Sequence, residues 1–131
     1  MYKHLAMVDP EQARVFAMNE RRKDLLEPLM TELNPKAFEA TLMEVSAELG
    51  DIYQTLFDLK YDTLKDSKKK PSKNELNALN DLGFKCLKFS EKTIEEIVKR
   101  EDKFDYIQSF LNLSLAVGRV YYKLYTPDGQ V

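Results

Sequence analysis

The chain has 131 residues, 44% hydrophobic and 32% charged, with a net charge of −2 at neutral pH. That length suits one domain with a buried core, or a piece of a longer array, and the near balance of charge excludes a global pull toward nucleic acid or a membrane surface. One cysteine, Cys86, excludes an intrachain disulfide framework and suits a buried, reduced thiol, and no run of 18 apolar residues is present to span a bilayer.

Four helices are predicted in chain order. The first runs from Asp9 to Leu33, with Asp9 as cap, Pro10 in the first turn and Pro28 as a kink or break. The residues before it, interrupted by Lys3 and His4, are not expected to act as a signal peptide. Asn34-Pro35 reads as the start of the second helix, Pro35 to Lys65. Its apolar positions are Phe38, Leu42, Val45, Leu49, Ile52, Leu56 and Leu59, spaced alternately four and three apart. Ser72-Lys73-Asn74-Glu75 has the form of a capping box and opens the third helix, Lys73 to Lys99. The fourth covers Asp102 to Tyr125, with Ile107, Leu111, Leu115, Gly118 and Tyr122 expected inward, and Thr126-Pro127-Asp128-Gly129 ends it as a turn. No strand pattern stands out. The expected fold is all-α: four long antiparallel helices forming tetratricopeptide-like helical hairpins, a segment of an α-solenoid.

An internal echo supports a repeat. Ser46 to Phe57 and Ser114 to Tyr125 share the pattern S-x-x-[LV]-G-x-[IV]-Y-x-x-L-[FY], offset by 68 residues. That is twice the 34-residue tetratricopeptide period. A glycine in mid-helix costs roughly 1 kcal/mol against alanine, so Gly50 and Gly118 are expected to mark close approach of another helix. Tyr53 and Tyr121, one turn on, are expected to fill the gap beside them.

Charge is ordered along the second helix. Glu44, Glu48, Asp51, Asp58 and Asp62 fall within roughly 80° of one another, opposite the apolar stripe. Pro35 to Asp62 holds six acids against two lysines. A solvated face usually interleaves both signs, so this row reads either as plain surface or as an acidic ridge for a basic partner. Lys65, Lys68, Lys69, Lys70 and Lys73 make a basic loop, read as a solvated helix end because no aromatic is interleaved to stack bases. Arg21-Arg22-Lys23 is expected to pair with Glu20, Asp24 and Glu27 on the same helix.

Arg21-Arg22-x-Asp24-x-Leu26-Glu27-Pro28-Leu29-x-x-x-Leu33-Asn34-Pro35 is the most distinctive run. With Glu48, Tyr53, Asp58-Leu59-Lys60 and the opening Tyr2-x-x-Leu5-Ala6-x-x-x-Pro10, it resembles the kinesin-family binding proteins. The resemblance is plain over Tyr2 to Lys60 and visible again from Ala116 to Leu124. Members are several times longer, so the resemblance implies that residues 1–131 are a single helical-repeat domain from the C-terminal half of a longer solenoid. It further implies a cytoplasmic, cytoskeleton-associated protein that binds kinesin motor domains and blocks their attachment to microtubules, without catalysis or cofactor. A motor's track-binding face is basic, which suits the acidic ridge.

The residues offer little for chemistry. His4 is the lone histidine, no nucleotide-binding glycine loop occurs, and no E-x-x-H is present for a di-iron site. We therefore expect no enzyme, no metal, no nucleic acid and no membrane. Alternatives to motor binding are a structural end segment of a solenoid, which as an isolated chain would self-associate, and a tetratricopeptide-like peptide-binding adaptor.

Overall fold

The computed structural model describes residues 9–131; Tyr2, His4, Leu5 and Ala6 lie outside them. The elements are α1 (Pro10–Leu26), α2 (Leu29–Glu32), α3 (Glu39–Asp66), α4 (Lys73–Val98) and α5 (Ile107–Tyr125), with a 3-10 turn at Lys103–Tyr106 before α5. No strand occurs among the described residues, and no helix there is long and apolar enough to cross a membrane.

Local chemistry sets the boundaries. The Asp9 carboxylate accepts from Glu11 N at 2.9 Å, and Pro10 takes the first helical place, where its missing N–H is not needed. Pro28 splits the predicted first helix into α1 and the single turn of α2. The start predicted at Pro35 is corrected. Asn34 does accept from Lys36 N at 2.9 Å, but this closes a turn, and α3 begins only at Glu39. Phe38 has φ −123° and ψ 36°, outside the helical region, and so interrupts propagation. The capping box at α4 is complete: Ser72 Oγ accepts from Glu75 N at 3.2 Å, and Ser72 N donates back to Glu75 at 2.9 Å. That returned bond, with the Lys60 charge as a lesser cause, holds the Glu75 carboxyl below its usual range.

α3 is the central element. α4 packs behind it and antiparallel, since Gly50 meets Ser90 while Gly83 meets Phe57. α5 returns antiparallel to α4, with Tyr121 donating to Glu91 and Leu124 against Gly83. α1 lies on the other flank of α3, with Arg22 on Glu48. The core joins Phe16 of α1, Leu49, Ile52, Tyr53, Leu56 and Phe57 of α3, Leu79, Cys86, Leu87 and Phe89 of α4, and Ala116, Val120 and Leu124 of α5. At 28 and 26 residues, α3 and α4 make a hairpin far longer than a 34-residue repeat unit.

Small residues bring α3 and α4 together. Ser46 Oγ donates to Phe89 O at 3.3 Å, and a Cβ on Gly50 would stand 2.6 Å from Ser90 Oγ and 3.2 Å from Leu113 Cδ2. Tyr53, one turn on, stacks parallel on Phe89 with ring centroids 5.8 Å apart. Its hydroxyl donates to Glu27, and burial together with that carboxylate raises its pKa. The second glycine of the echo behaves differently, which is a correction. A Cβ on Gly118 would meet nothing within 4 Å, and Tyr121 is exposed, donating to Glu91 at 3.0 Å.

The inward face of α5 is also corrected. Ile107, Leu111, Leu115 and Tyr122 are exposed, and Leu113, Ala116, Val120 and Leu124 are buried instead. The reason is steric. Gly50 and Gly83 leave gaps that leucines of α5 fill: Leu113 lies over Gly50, and Leu124 Cδ1 would be 2.9 Å from a Cβ on Gly83.

Cys86 is buried with no exposure, its sulfur 3.8 Å from Ser90 Oγ. Burial pushes the thiol up from 9.0 to about 12. Over that interval the unfolded chain gives up a proton that the folded chain keeps. Stability should therefore fall as pH rises through it. Urea titrations at stepped alkaline pH should show this decline, and Cys86→Ala should flatten it. An unchanged slope in that variant would assign the decline to other groups.

Candidate functional site

With α1 on one flank of α3, α5 on the other and α4 behind, one face of α3 is left uncovered by the described residues. That face carries the acidic row. A helix of 28 residues is about 42 Å long, so the row runs along most of one edge of the fold. Glu44, Glu48, Asp51 and Asp62 are exposed, and Asp58 is half-buried.

The row is not uniformly free. Glu48 accepts from Arg22 of α1 at 2.6 Å, and Asp58 accepts from Lys123 of α5 at 3.1 Å. Lys123 is further held by the Tyr61 ring, 4.4 Å from its centroid. These two acids therefore fasten the flanking helices to α3. Glu44, Asp51 and Asp62 have no cation within salt-bridge distance among the described residues. Asp51 also lines a cleft of about 210 Å³ with Glu48 and Gln54 of α3 and Ser109 and Asn112 of α5. An exposed Asp, a Gln and an Asn converging there can accept from lysine or arginine while donating to backbone carbonyls.

The basic cluster of α1 pairs differently from expectation. Arg22 reaches across to Glu48 and back to Asn19 Oδ1 at 3.1 Å, and only Lys23 pairs locally, with Asp24 at 3.5 Å. Lys65, Lys68, Lys69, Lys70 and Lys73 are all exposed, and Lys65 donates to Gln130 O at 3.4 Å.

Sequence reasoning missed a second group of acids. Glu39 at the start of α3 meets Glu96 in the last turn of α4 and Glu101 and Asp102 just after it, around an open depression of about 490 Å³ that also holds Lys99 and Arg100. Arg100 grips Asp102 through two hydrogen bonds, 2.8 and 3.2 Å, which depress the Asp102 carboxyl. Only the antiparallel register of α3 and α4 brings Glu39 there. No group of three or more metal-ligating side chains is assembled among the described residues.

The comparisons agree on one family. The family model described as "KIF-1 binding protein C terminal" matches residues 1–131. The chain is 26% identical over 137 residues to the KIF-binding protein of Xenopus tropicalis, covering 100% of this chain and 22% of that protein. It is 25% identical to those of Rattus norvegicus and Homo sapiens, each over 134 residues, covering 98% of this chain and 22% and 21% of those proteins. The chain thus spans about a fifth of the length of these relatives. No solved structure matches. With the family model matched over the whole of residues 1–131, and relatives of that name aligned along nearly all of them, the chain belongs to the KIF-1 binding protein C-terminal family.

Proposed function

We propose that this chain is a protein-binding solenoid segment that contacts a kinesin motor domain through the acidic face of α3 and keeps the motor off its microtubule. The observation that carries the reading is that Glu44, Asp51 and Asp62 have no ion-pair partner among the described residues, on the face those residues leave open between α1 and α5. The names of the relatives indicate the partner's class. A motor binds an acidic track through basic residues, so an acidic row competes for the same groups. Charges so placed act mainly on association rate and salt sensitivity. On this reading the protein works in the cytoplasm, beside the cytoskeleton.

Charge reversal of Glu44, Asp51 and Asp62 to lysine should slow association with a motor domain by about tenfold or more at low salt and flatten its salt dependence. These residues hold no ion pair among the described residues, so helicity should be unchanged. Reversal at Glu48 or Asp58 would confuse the result by unfastening α1 or α5. Co-sedimentation of motor with microtubules gives the functional readout: the wild-type chain should release the motor and the triple variant should not. Motor retained on microtubules with the wild-type chain, but released by a full-length relative, would move the blocking surface outside these residues.

A further inference from the structure

α5 is apolar on two opposite sides, and only one of them is used. Leu113, Ala116, Val120 and Leu124 fill the core, while Ile107, Leu111, Leu115, Tyr122 and Tyr125 stand exposed within roughly 100° of one another, with Gly118 and Ser114 among them. No charged residue of α5 falls in that arc. We infer that this face pairs with α5 of a second copy of the chain, antiparallel, about a two-fold axis beside Ser114 and Leu115.

Three observations select a second copy as the occupant. The first is self-complementarity. Antiparallel alignment about that axis sets Leu111 over Gly118 of the other copy, Ile107 toward Tyr122, and Ser114 beside its own counterpart. Large meets small where Leu111 crosses Gly118, and a two-fold interface makes that match twice. This fold already uses leucine over glycine twice, at Gly50 and Gly83, whereas Gly118 is open. The second is area. Five apolar side chains about half exposed, together with Phe104 at 74% exposure, offer on the order of 700 Å² per copy, given roughly 150–250 Å² for a whole aromatic. A standard interface needs about 800 Å² per partner. The third is charge at the ends. The same alignment brings exposed Lys103, before α5, toward exposed Asp128, after it, and opposes the two helix dipoles.

Sedimentation equilibrium of the wild-type chain should show a reversible monomer–dimer equilibrium. Gly118→Leu is the decisive variant. Its new side chain meets no atom of its own chain at the Cβ position, so circular dichroism should show full helicity. It should nevertheless weaken the dimer by about tenfold or more, because it occupies the place of Leu111 from the other copy. Ser114→Cys should crosslink under mild oxidation, and buried Cys86 does not compete. A wild-type chain that stays monomeric at every concentration would overturn the proposal, as would a dimer untouched by Gly118→Leu. Failure of Ser114→Cys to crosslink within a dimer would overturn the antiparallel pairing.

Discussion

Phe57→Ala should cost about 3–5 kcal/mol of folding stability, the upper range for a single substitution. Phe57 has no solvent exposure and sits where three helices meet: its ring carbons lie 3.0 and 3.2 Å from where a Gly83 Cβ would be, and Leu124 of α5 closes the same space. It also meets Tyr61 at a ring separation of 6.0 Å. Removing the ring leaves a cavity that no neighbour can fill, because Gly83 has no side chain to extend into it. For a chain of this length the loss should lower the melting temperature by about 10–15 °C. Chemical denaturation with circular dichroism will measure it. A loss below about 1.5 kcal/mol would mean that α5 collapses inward and that the three-helix junction is not close-packed.

The two glycines of the internal echo should respond in opposite directions. Gly118→Ala in dilute solution should stabilise the chain by up to about 1 kcal/mol, because it restores helix propensity and touches nothing. Gly50→Val should destabilise by about 2–3 kcal/mol despite its own propensity gain. Its Cβ alone would stand 2.6 Å from Ser90 Oγ and 3.2 Å from Leu113. Ser90 is fully buried and borders Cys86, so its hydroxyl has little room to turn away. The valine methyls then force α3 and α4 apart. Paired thermal melts decide it, and losses of similar size at both positions would show that α5 packs the same way on both of its sides.

That contrast marks how far the sequence could be read. Capping boxes and proline positions act within a few residues, so Ser72, Asp9 and Pro28 gave their boundaries correctly. Asn34-Pro35 misled because the same side-chain bond closes a turn or opens a helix, and only Phe38's backbone decides between them. The buried face of α3 was legible because only one side of it is apolar. α5 is apolar on two sides, so periodicity offers two answers, and the choice lies with Gly50 and Gly83 on other helices. Of the candidate site, the acidic row was visible from spacing. Its partial neutralisation by Arg22 and Lys123 was not, since those partners lie 26 and 65 residues away along the chain. Glu39 beside Glu96 likewise depends on register alone.

The attachment of α1 sets an order in which the chain comes apart. α3 and α4 share a continuous buried seam, whereas α1 buries only Ala13, Phe16 and Asn19. Its other ties include half-buried Leu26 at the edge of the core, the Arg22–Glu48 pair, which is half in solvent, and the bond from Tyr53 to Glu27. Such an element opens at a fraction of the free energy that unfolds the whole. Each opening releases Glu48 and adds a fourth unpaired acid to the row. The acidity of this face of α3 is therefore not a fixed property of the surface but one that changes with the docking of its neighbour, and on the proposed function a partner that captures Glu48 would draw α1 outward as it binds.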